Sequence, residues 1–144
     1  DPRIRMIDAT LDRRDVLALM VSCDCFVSLH RSEGFGFGPA EAMAYGKPVI
    51  ATNYGGVTDF LTESTGYPVA FDRVAVRESD YYNGRGHWAE PRHDHAVARM
   101  LEVFANRAEA AARGAAMWAP QLPRRCPALL LPPPLAPLAA AAPP

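Results

Sequence analysis

The sequence has no excess of positive charge and no run of lysine or arginine. Its 144 residues carry 15 Lys and Arg against 16 Asp and Glu, a formal net charge of −1. Because nucleic acids and anionic membrane surfaces are bound through basic faces, neither is an expected partner. An anionic small ligand remains compatible with this charge, since the backbone amides at a helix N-terminus bind phosphate without it.

Cysteine is also scarce, with Cys23, Cys25 and Cys126 as the full set. An odd count with one Cys-x-Cys pair is not a disulfide framework, and no second Cys or His pair stands at zinc-ligand spacing. We therefore expect no bound metal. Cys23 and Cys25 are interpreted as buried small hydrophobic residues at the start of a strand, which suits a reducing, cytoplasmic location.

From the sequence we expect no signal peptide and no transmembrane segment. It begins Asp-Pro-Arg-Ile-Arg, and prolines interrupt its apolar stretch at residues 128–142. Because the sequence begins without Met and directly with strand-like residues, we expect an N-terminal part to be missing. We expect one domain over residues 1–118 and a disordered Pro/Ala/Leu-rich tail over 119–144, because residues 120–144 hold nine of the 14 prolines. A frame-shifted reading of the gene is the alternative for this tail.

Up to residue 118, apolar periodicity predicts alternating strands and helices. The predicted strands are residues 4–7, 25–29, 48–51 and, at an edge, 67–70; the predicted helices are 12–21, 39–45, a short one after Gly55-Gly56, one capped by Asp94, and a last one to about Trp118. Residues 71–91 lose the pattern and are interpreted as an ordered surface excursion. The alternation predicts an α/β fold, a Rossmann-like parallel sheet with helices on both faces.

One segment combines a buried strand, a glycine-rich loop and a helix N-terminus. Gly34, Gly36 and Gly38 allow the backbone to approach a ligand closely and to direct its N–H groups towards anionic oxygens. The loop follows a strand, so it lies where open α/β sheets bind ligands, at the carboxyl ends of the strands. This pattern indicates an anion site, although it differs from the dinucleotide fingerprint Gly-x-Gly-x-x-Gly.

Two carboxylates flank this loop. Glu33 precedes it, and Glu41 falls at about the third position of the predicted helix. Ionised carboxylates only accept hydrogen bonds, so they suit hydroxyl-rich ligands. A diphosphate with a ribose and a sugar at its two ends fits both the amides and the carboxylates. Glu41 could instead merely complement the helix dipole, and from the residues alone that alternative stays open.

The segment resembles the Glu-x7-Glu signature of the family-4 glycosyltransferases of the GT-B class. Glu33 and Glu41 are separated by seven residues; Ala42-Met43-Ala44, the run from Gly46 to Thr52, and Gly55-Gly56-Val57-Thr58-Asp59 also match. The resemblance covers roughly residues 4–118. The run from Ser28 to Glu33 and the later Trp88-Ala89-Glu90-Pro91 are similar to a bacterial subgroup that builds surface polysaccharides.

The resemblance implies the C-terminal, nucleotide-sugar-binding domain of a retaining glycosyltransferase, with a glycan or lipid-linked acceptor bound by a missing N-terminal domain. Glu33 would be the catalytic carboxylate, bonding hydroxyls of the donor sugar, and Glu41 would bind the ribose. The donor oxygens would be held by the backbone of Gly34, Phe35, Gly36, Phe37 and Gly38. His30 and Arg31 would line the pocket or be structural, residues 6–10 would lie near the base, and no metal or other cofactor is implied.

The family's diphosphate-binding Arg and Lys lie upstream of the matched region. We therefore expect the 144 residues alone to bind the donor weakly and to transfer its sugar poorly or not at all. The competing interpretations are a truncated or degenerate binding module without activity, and another GT-B chemistry such as an epimerase or a phosphorylase. His93 and His95 are expected on the solvated surface, and Tyr81, Tyr82 and Trp88 are expected to pack within the excursion.

Overall fold

The structure, a computed structural model, describes residues 1–79 and 82–116. Asp12 accepts a hydrogen bond from the backbone N–H of Asp15 at 2.8 Å and so caps the first helix. The elements in chain order are α1 (Arg13–Ser22), β1 (Phe26–Ser28), α2 (Phe37–Ala44), β2 (Val49–Thr52), a 3₁₀ turn (Gly55–Asp59), β3 (Tyr67–Val69), β4 (Phe71–Ala75), β5 (His87–Pro91), α3 (His93–Ala105) and α4 (Arg107–Ala116).

The central sheet is parallel, with strand order β1-β2-β3. All four residues of β2 are buried because helices cover both faces. Val49 and Ala51 point into a core shared with α1 and α2, while Ile50 points to the other side, into a core shared with β3, α3 and α4. The predicted α/β architecture is confirmed, and β3 lies at the expected edge.

The strand predicted at residues 4–7 does not form. Ile4 and Met6 are 73% and 89% exposed, and the backbone N–H of Ile4 donates to the carbonyl of Asp1 in a turn. A strand requires a neighbouring backbone to satisfy its N–H and C=O groups. In the described part of the chain, residues 4–7 do not pair with β1. Their strand-like composition is therefore not sufficient to form a strand.

Residues 71–91, interpreted from the sequence as an ordered surface excursion, contain a β-hairpin that the sequence pattern did not reveal. β4 and β5 pair antiparallel from Phe71 opposite Pro91 to Ala75 opposite His87. Tyr82 and Trp88 stack edge to face with ring centroids 4.9 Å apart, which confirms the expected packing of these two aromatics. Tyr81 lies outside the described residues.

The two C-terminal helices form as predicted, but their ends differ in detail. Arg92, without a side-chain hydrogen bond, is the N-cap of α3, and Asp94 lies in its first turn rather than capping it. Trp118 and the tail at 119–144 lie outside the described residues. Among the helices of residues 1–79 and 82–116, none has the length and apolarity needed to cross a bilayer.

Three side chains differ in burial from what the sequence predicts. Cys23 is exposed and Cys25 only partly buried, because β1 begins at Phe26 and leaves both before the strand. His93 is exposed as expected, whereas His95 is partly buried and its Nδ1 accepts the backbone N–H of Ala70 at 2.9 Å. His95 therefore ties α3 to the end of β3.

Candidate functional site

The candidate site is formed by two loops at the carboxyl end of the sheet, one after β1 and one after β2. They are in direct backbone contact, since the N–H of Gly56 donates to the carbonyl of Gly34 at 2.9 Å. A Cβ atom on Gly55 would lie 2.4 Å from the carbonyl oxygen of Glu33, and Gly55 has a φ of +75°. Glycine is thus required for the two loops to meet.

Helix α2 begins at Phe37, two residues before the predicted start, and Gly36 is its N-cap with a φ of +87°. A Cβ atom on Gly36 would lie 2.5 Å from Cγ2 of Val57. With this start, Glu41 is the fifth helical residue instead of about the third, and the first turn contains no acidic residue. The interpretation of Glu41 as a mere complement to the helix dipole therefore loses its basis, because that effect is confined to the first turn.

The amides of residues 34–38 are open in the sense that they have no backbone acceptor among the described residues. Within residues 1–79 and 82–116 none of them donates a backbone hydrogen bond, and the first such bond at the start of α2 runs from Ala40 to Gly36. Pro39 has no N–H to satisfy. The open amides and the positive end of the helix dipole together suit an anionic oxygen.

The two phenylalanines of the loop play different structural parts. Phe35 packs against Phe60 with centroids 5.4 Å apart and against Phe37 at 5.1 Å. Phe35 anchors the loop to the core formed with α1 and α2, whereas Phe37 is 56% exposed. The roles predicted for these residues involve their backbone only, and this packing leaves both amides free.

Glu33 is partly buried beside Gly36, whose built Cβ position lies 3.5 Å from its Cγ. In the described part of the chain its carboxylate forms no hydrogen bond and no ion pair. It lies next to the open amides of the loop. A carboxylate without a protein partner at this place can accept hydrogen bonds from ligand hydroxyls.

Glu41 is 9% exposed and is held by an arginine that sequence reasoning missed. Arg13 donates from Nη1 to Oε2 at 2.9 Å and from Nη2 to Oε1 at 2.7 Å. The hydrogen bond to Glu41 raises the pKa of Arg13 above its ordinary value. No motif marks Arg13, which is 28 residues away in sequence and follows the α1 cap; only the three-dimensional packing of α1 on α2 brings the pair together.

His30 connects the two loops through its ring. Its Nε2 lies 3.0 Å from the carbonyl oxygen of Tyr54, and its Nδ1 lies 3.2 Å from Oγ of Ser28. A carbonyl only accepts, so Nε2 donates to Tyr54, while Nδ1 is paired with the Ser28 hydroxyl. Both ring nitrogens are thus used within the protein.

Arg31 is directed towards the β4–β5 hairpin. Its Nε lies 2.6 Å from Oε2 of Glu90, and its carbonyl accepts the backbone N–H of Ala89 at 2.9 Å. The hairpin is therefore attached to the chain just before Glu33. Residues 6–10, predicted near the base, are all exposed, with no backbone hydrogen bond to the glycine loop among the described residues.

A cavity of about 610 Å³ lies at the other end of the sheet. Its lining includes Cys25, Lys47 and Pro48, which precede β1 and β2, and Phe104 of α3. It is therefore separate from the loops at the carboxyl ends of the strands. No group of three or more His, Cys, Asp or Glu side chains is placed to hold a metal ion in the part of the chain that the structure describes.

Comparison with known proteins shows which family the chain belongs to. Residues 7–113 match the family model of the glycosyl transferases group 1. The chain belongs to this family. The resemblance to GT-B glycosyltransferases is thereby confirmed, and the parallel sheet with helices on both faces is the Rossmann-like domain expected of them.

This group 1 glycosyltransferase chain is also similar to a curated protein, the lipopolysaccharide core biosynthesis mannosyltransferase LpsB of Rhizobium meliloti (strain 1021). The two are 48% identical over 52 residues. The match covers 34% of this chain and 15% of the relative, so the chain spans only a small part of the length of that protein.

Proposed function

We propose that this domain binds a nucleoside-diphosphate sugar as the donor of a retaining glycosyl transfer. The observation that carries the proposal is the unpaired carboxylate of Glu33 beside the open amides of residues 34–38, at the carboxyl end of a parallel sheet. Hydroxyl groups and anionic oxygens require these two kinds of partner side by side. Group 1 membership supports transfer of a sugar as the reaction.

Each part of the site has its own task in this proposal. Glu33 accepts hydrogen bonds from hydroxyls of the donor sugar, Glu41 accepts them from the ribose, and the amides at the start of α2 bind the diphosphate. As the bond from the sugar C1 to the diphosphate breaks, the amides stabilise the charge that develops on the leaving group. The acceptor hydroxyl oxygen then bonds to C1 on the same face, and its proton passes to the departing diphosphate oxygen. Glu33 acts through hydrogen bonds rather than as a covalent nucleophile, and no resident metal takes part.

The acceptor is proposed to be a glycan or a lipid-linked glycan in bacterial surface polysaccharide synthesis, in the cytoplasm. The printed name of the Rhizobium meliloti relative, a lipopolysaccharide core mannosyltransferase, supports this direction. The relative is much longer than the matched segment, so we assign acceptor binding to protein beyond these 144 residues.

The test is thermal unfolding of the chain with UDP, GDP, ADP or dTDP. At least one nucleoside diphosphate should raise the Tm by stabilising the folded state. Glu33→Gln should reduce the affinity for the nucleotide sugar, and Glu41→Gln should reduce the affinity for the nucleotide. Glu109→Gln is the matched control, because this exposed residue on α4 pairs with Arg113. If no diphosphate changes the Tm, the proposal is wrong.

A non-catalytic binding module is the alternative outcome. It would give the same Tm shift, but the intact protein would neither transfer the sugar to an acceptor nor release the nucleoside diphosphate. Product analysis by mass spectrometry separates the two, and detection of the α or β linkage relative to the donor tests retention.

A further inference from the structure

The Arg13–Glu41 pair is unequal in exposure. The side chain of Glu41 is 12% exposed and that of Arg13 is 59% exposed. The carboxylate is thus largely buried, and the guanidinium reaches it from the solvent side of α1. The start of α1 is fixed by the Asp12 cap, so the backbone that carries Arg13 is held in place.

The geometry of the pair is that of a planar fork on a planar carboxylate. Each oxygen of Glu41 accepts one hydrogen bond, from a different nitrogen of Arg13. Such a bidentate contact fixes the plane of the carboxylate. Each carboxylate oxygen can accept about two hydrogen bonds, so one position on each oxygen is left for another donor.

We propose that Arg13 is a positioning residue that holds the Glu41 carboxylate in the plane needed to accept hydrogen bonds from the two ribose hydroxyls of the donor. This inference rests on the proposed function. Vicinal hydroxyls require two acceptor oxygens in a fixed orientation, and the fork supplies that orientation before the ligand arrives. Binding then costs less ordering of the side chain.

The test compares two ligands that differ only at the ribose. UDP, GDP or ADP, whichever binds the chain most tightly, is titrated against its 2′,3′-dideoxy counterpart by calorimetry. We expect the unmodified chain to prefer the ribonucleotide by about tenfold or more, from two hydrogen bonds. Arg13→Gln should reduce this preference towards equality and leave the affinity for the dideoxy nucleotide within about twofold.

Two further variants make the result specific. Arg14→Gln is the matched control, because Arg14 is the next residue of α1, is exposed, and has no ion pair within residues 1–79 and 82–116; it should keep the full preference. Arg13→Lys keeps the charge but not the fork, and it should give an intermediate preference. Since the charge is kept, this variant also serves if Arg13→Gln does not fold.

The outcomes separate this inference from the proposed function. A ribose preference that survives Arg13→Gln, or equal losses of affinity for both ligands, would show that the pair is only structural. An unmodified chain that binds nucleoside diphosphates without ribose preference overturns the inference and leaves donor binding intact. A chain that binds none of them overturns the proposed function itself.

Discussion

A Cβ atom on Gly56 would lie 2.1 Å from the carbonyl oxygen of Gly34, the same oxygen that accepts the Gly56 N–H at 2.9 Å. At this point the two loops of the site meet backbone to backbone. The position of the β2 loop sets how far the glycine loop can move, and any side chain at Gly56 would force the loops apart.

Gly56→Ala should therefore destabilise the protein and distort the site. We expect a loss of about 1–3 kcal/mol in the free energy of unfolding, the usual cost of overpacking a tight contact. The measurement is urea denaturation followed by circular dichroism. Gly34→Ala is the control, because a Cβ there meets no atom within 4 Å; equal stability loss in both variants would contradict the argument.

The contact between Arg31 and Glu90 should contribute little to stability. Both side chains are partly or largely exposed, at 58% and 34%, and such ion pairs contribute about 0–1 kcal/mol. A double-mutant cycle with Arg31→Ala and Glu90→Ala should give a coupling energy below about 1 kcal/mol that shrinks with added salt. The backbone bond from Ala89 to Arg31 keeps the hairpin attached in every variant.

The same cycle separates two roles of Arg31. If the guanidinium serves only the hairpin, nucleoside diphosphate affinity stays the same in Arg31→Ala and Glu90→Ala. A loss of affinity in Arg31→Ala alone would instead support the pocket-lining role implied by the family resemblance.

Much of the architecture follows from short-range sequence patterns. Apolar periodicity and glycine spacing predict β1, the glycine loop, α2 and β2, because these are contiguous and each pattern matches the local period of its element. For the same reason Glu33 and Glu41 could be predicted as site residues from sequence, both lying within one strand–loop–helix unit, and their roles stay predictions.

The remaining features depend on partners that lie far apart in sequence. The hairpin at residues 71–91 has charged and small residues on strands with much solvent exposure, so it has no clear alternation of apolar and polar residues. The Arg13–Glu41 contact is a product of how α1 packs against α2. Residues 4–7 show the opposite case, with a strand-like pattern that lacks a pairing neighbour.

Cys25 should be an unreactive thiol beside a reactive one. Burial, with smaller contributions from Cys23 and Asp24, raises the pKa of Cys25 from 9.0 to about 11. At about pH 8 only about one molecule in a thousand then carries the thiolate at this position, and the thiolate is the nucleophile. Iodoacetamide labelling followed by fragment-ion mass spectrometry should modify exposed Cys23 well before Cys25.

The raised pKa of Cys25 also has a consequence for stability. The folded state keeps this proton more tightly than the unfolded chain, so the associated stabilisation is complete below about pH 9 and is lost as the pH rises towards 11. Cys25→Ala should flatten this part of the curve of unfolding free energy against pH, and Cys23→Ala, at an exposed neighbour, should leave it steep.

Gly114 allows α4 to lie directly on the backbone before β2. A Cβ there would approach the carbonyl carbon of Lys47 to 2.7 Å and the carbonyl oxygen of Gly46 to 2.8 Å, both backbone atoms that cannot rotate away. In an isolated helix, Gly→Ala is favourable by about 1 kcal/mol. In this protein Gly114→Ala should instead lower the free energy of unfolding by about 1–3 kcal/mol, because the clash outweighs the propensity.

Ala112→Gly is the control, because Ala112 is an exposed residue of α4 and its replacement measures helix propensity without a tertiary contact. This variant should lower the free energy of unfolding by about 1 kcal/mol. Gly114 lies at the amino ends of the strands, so the folded fraction of Gly114→Ala should bind nucleoside diphosphates as the unmodified chain does. A variant that is more stable than the unmodified chain would mean that α4 does not pack this closely in solution.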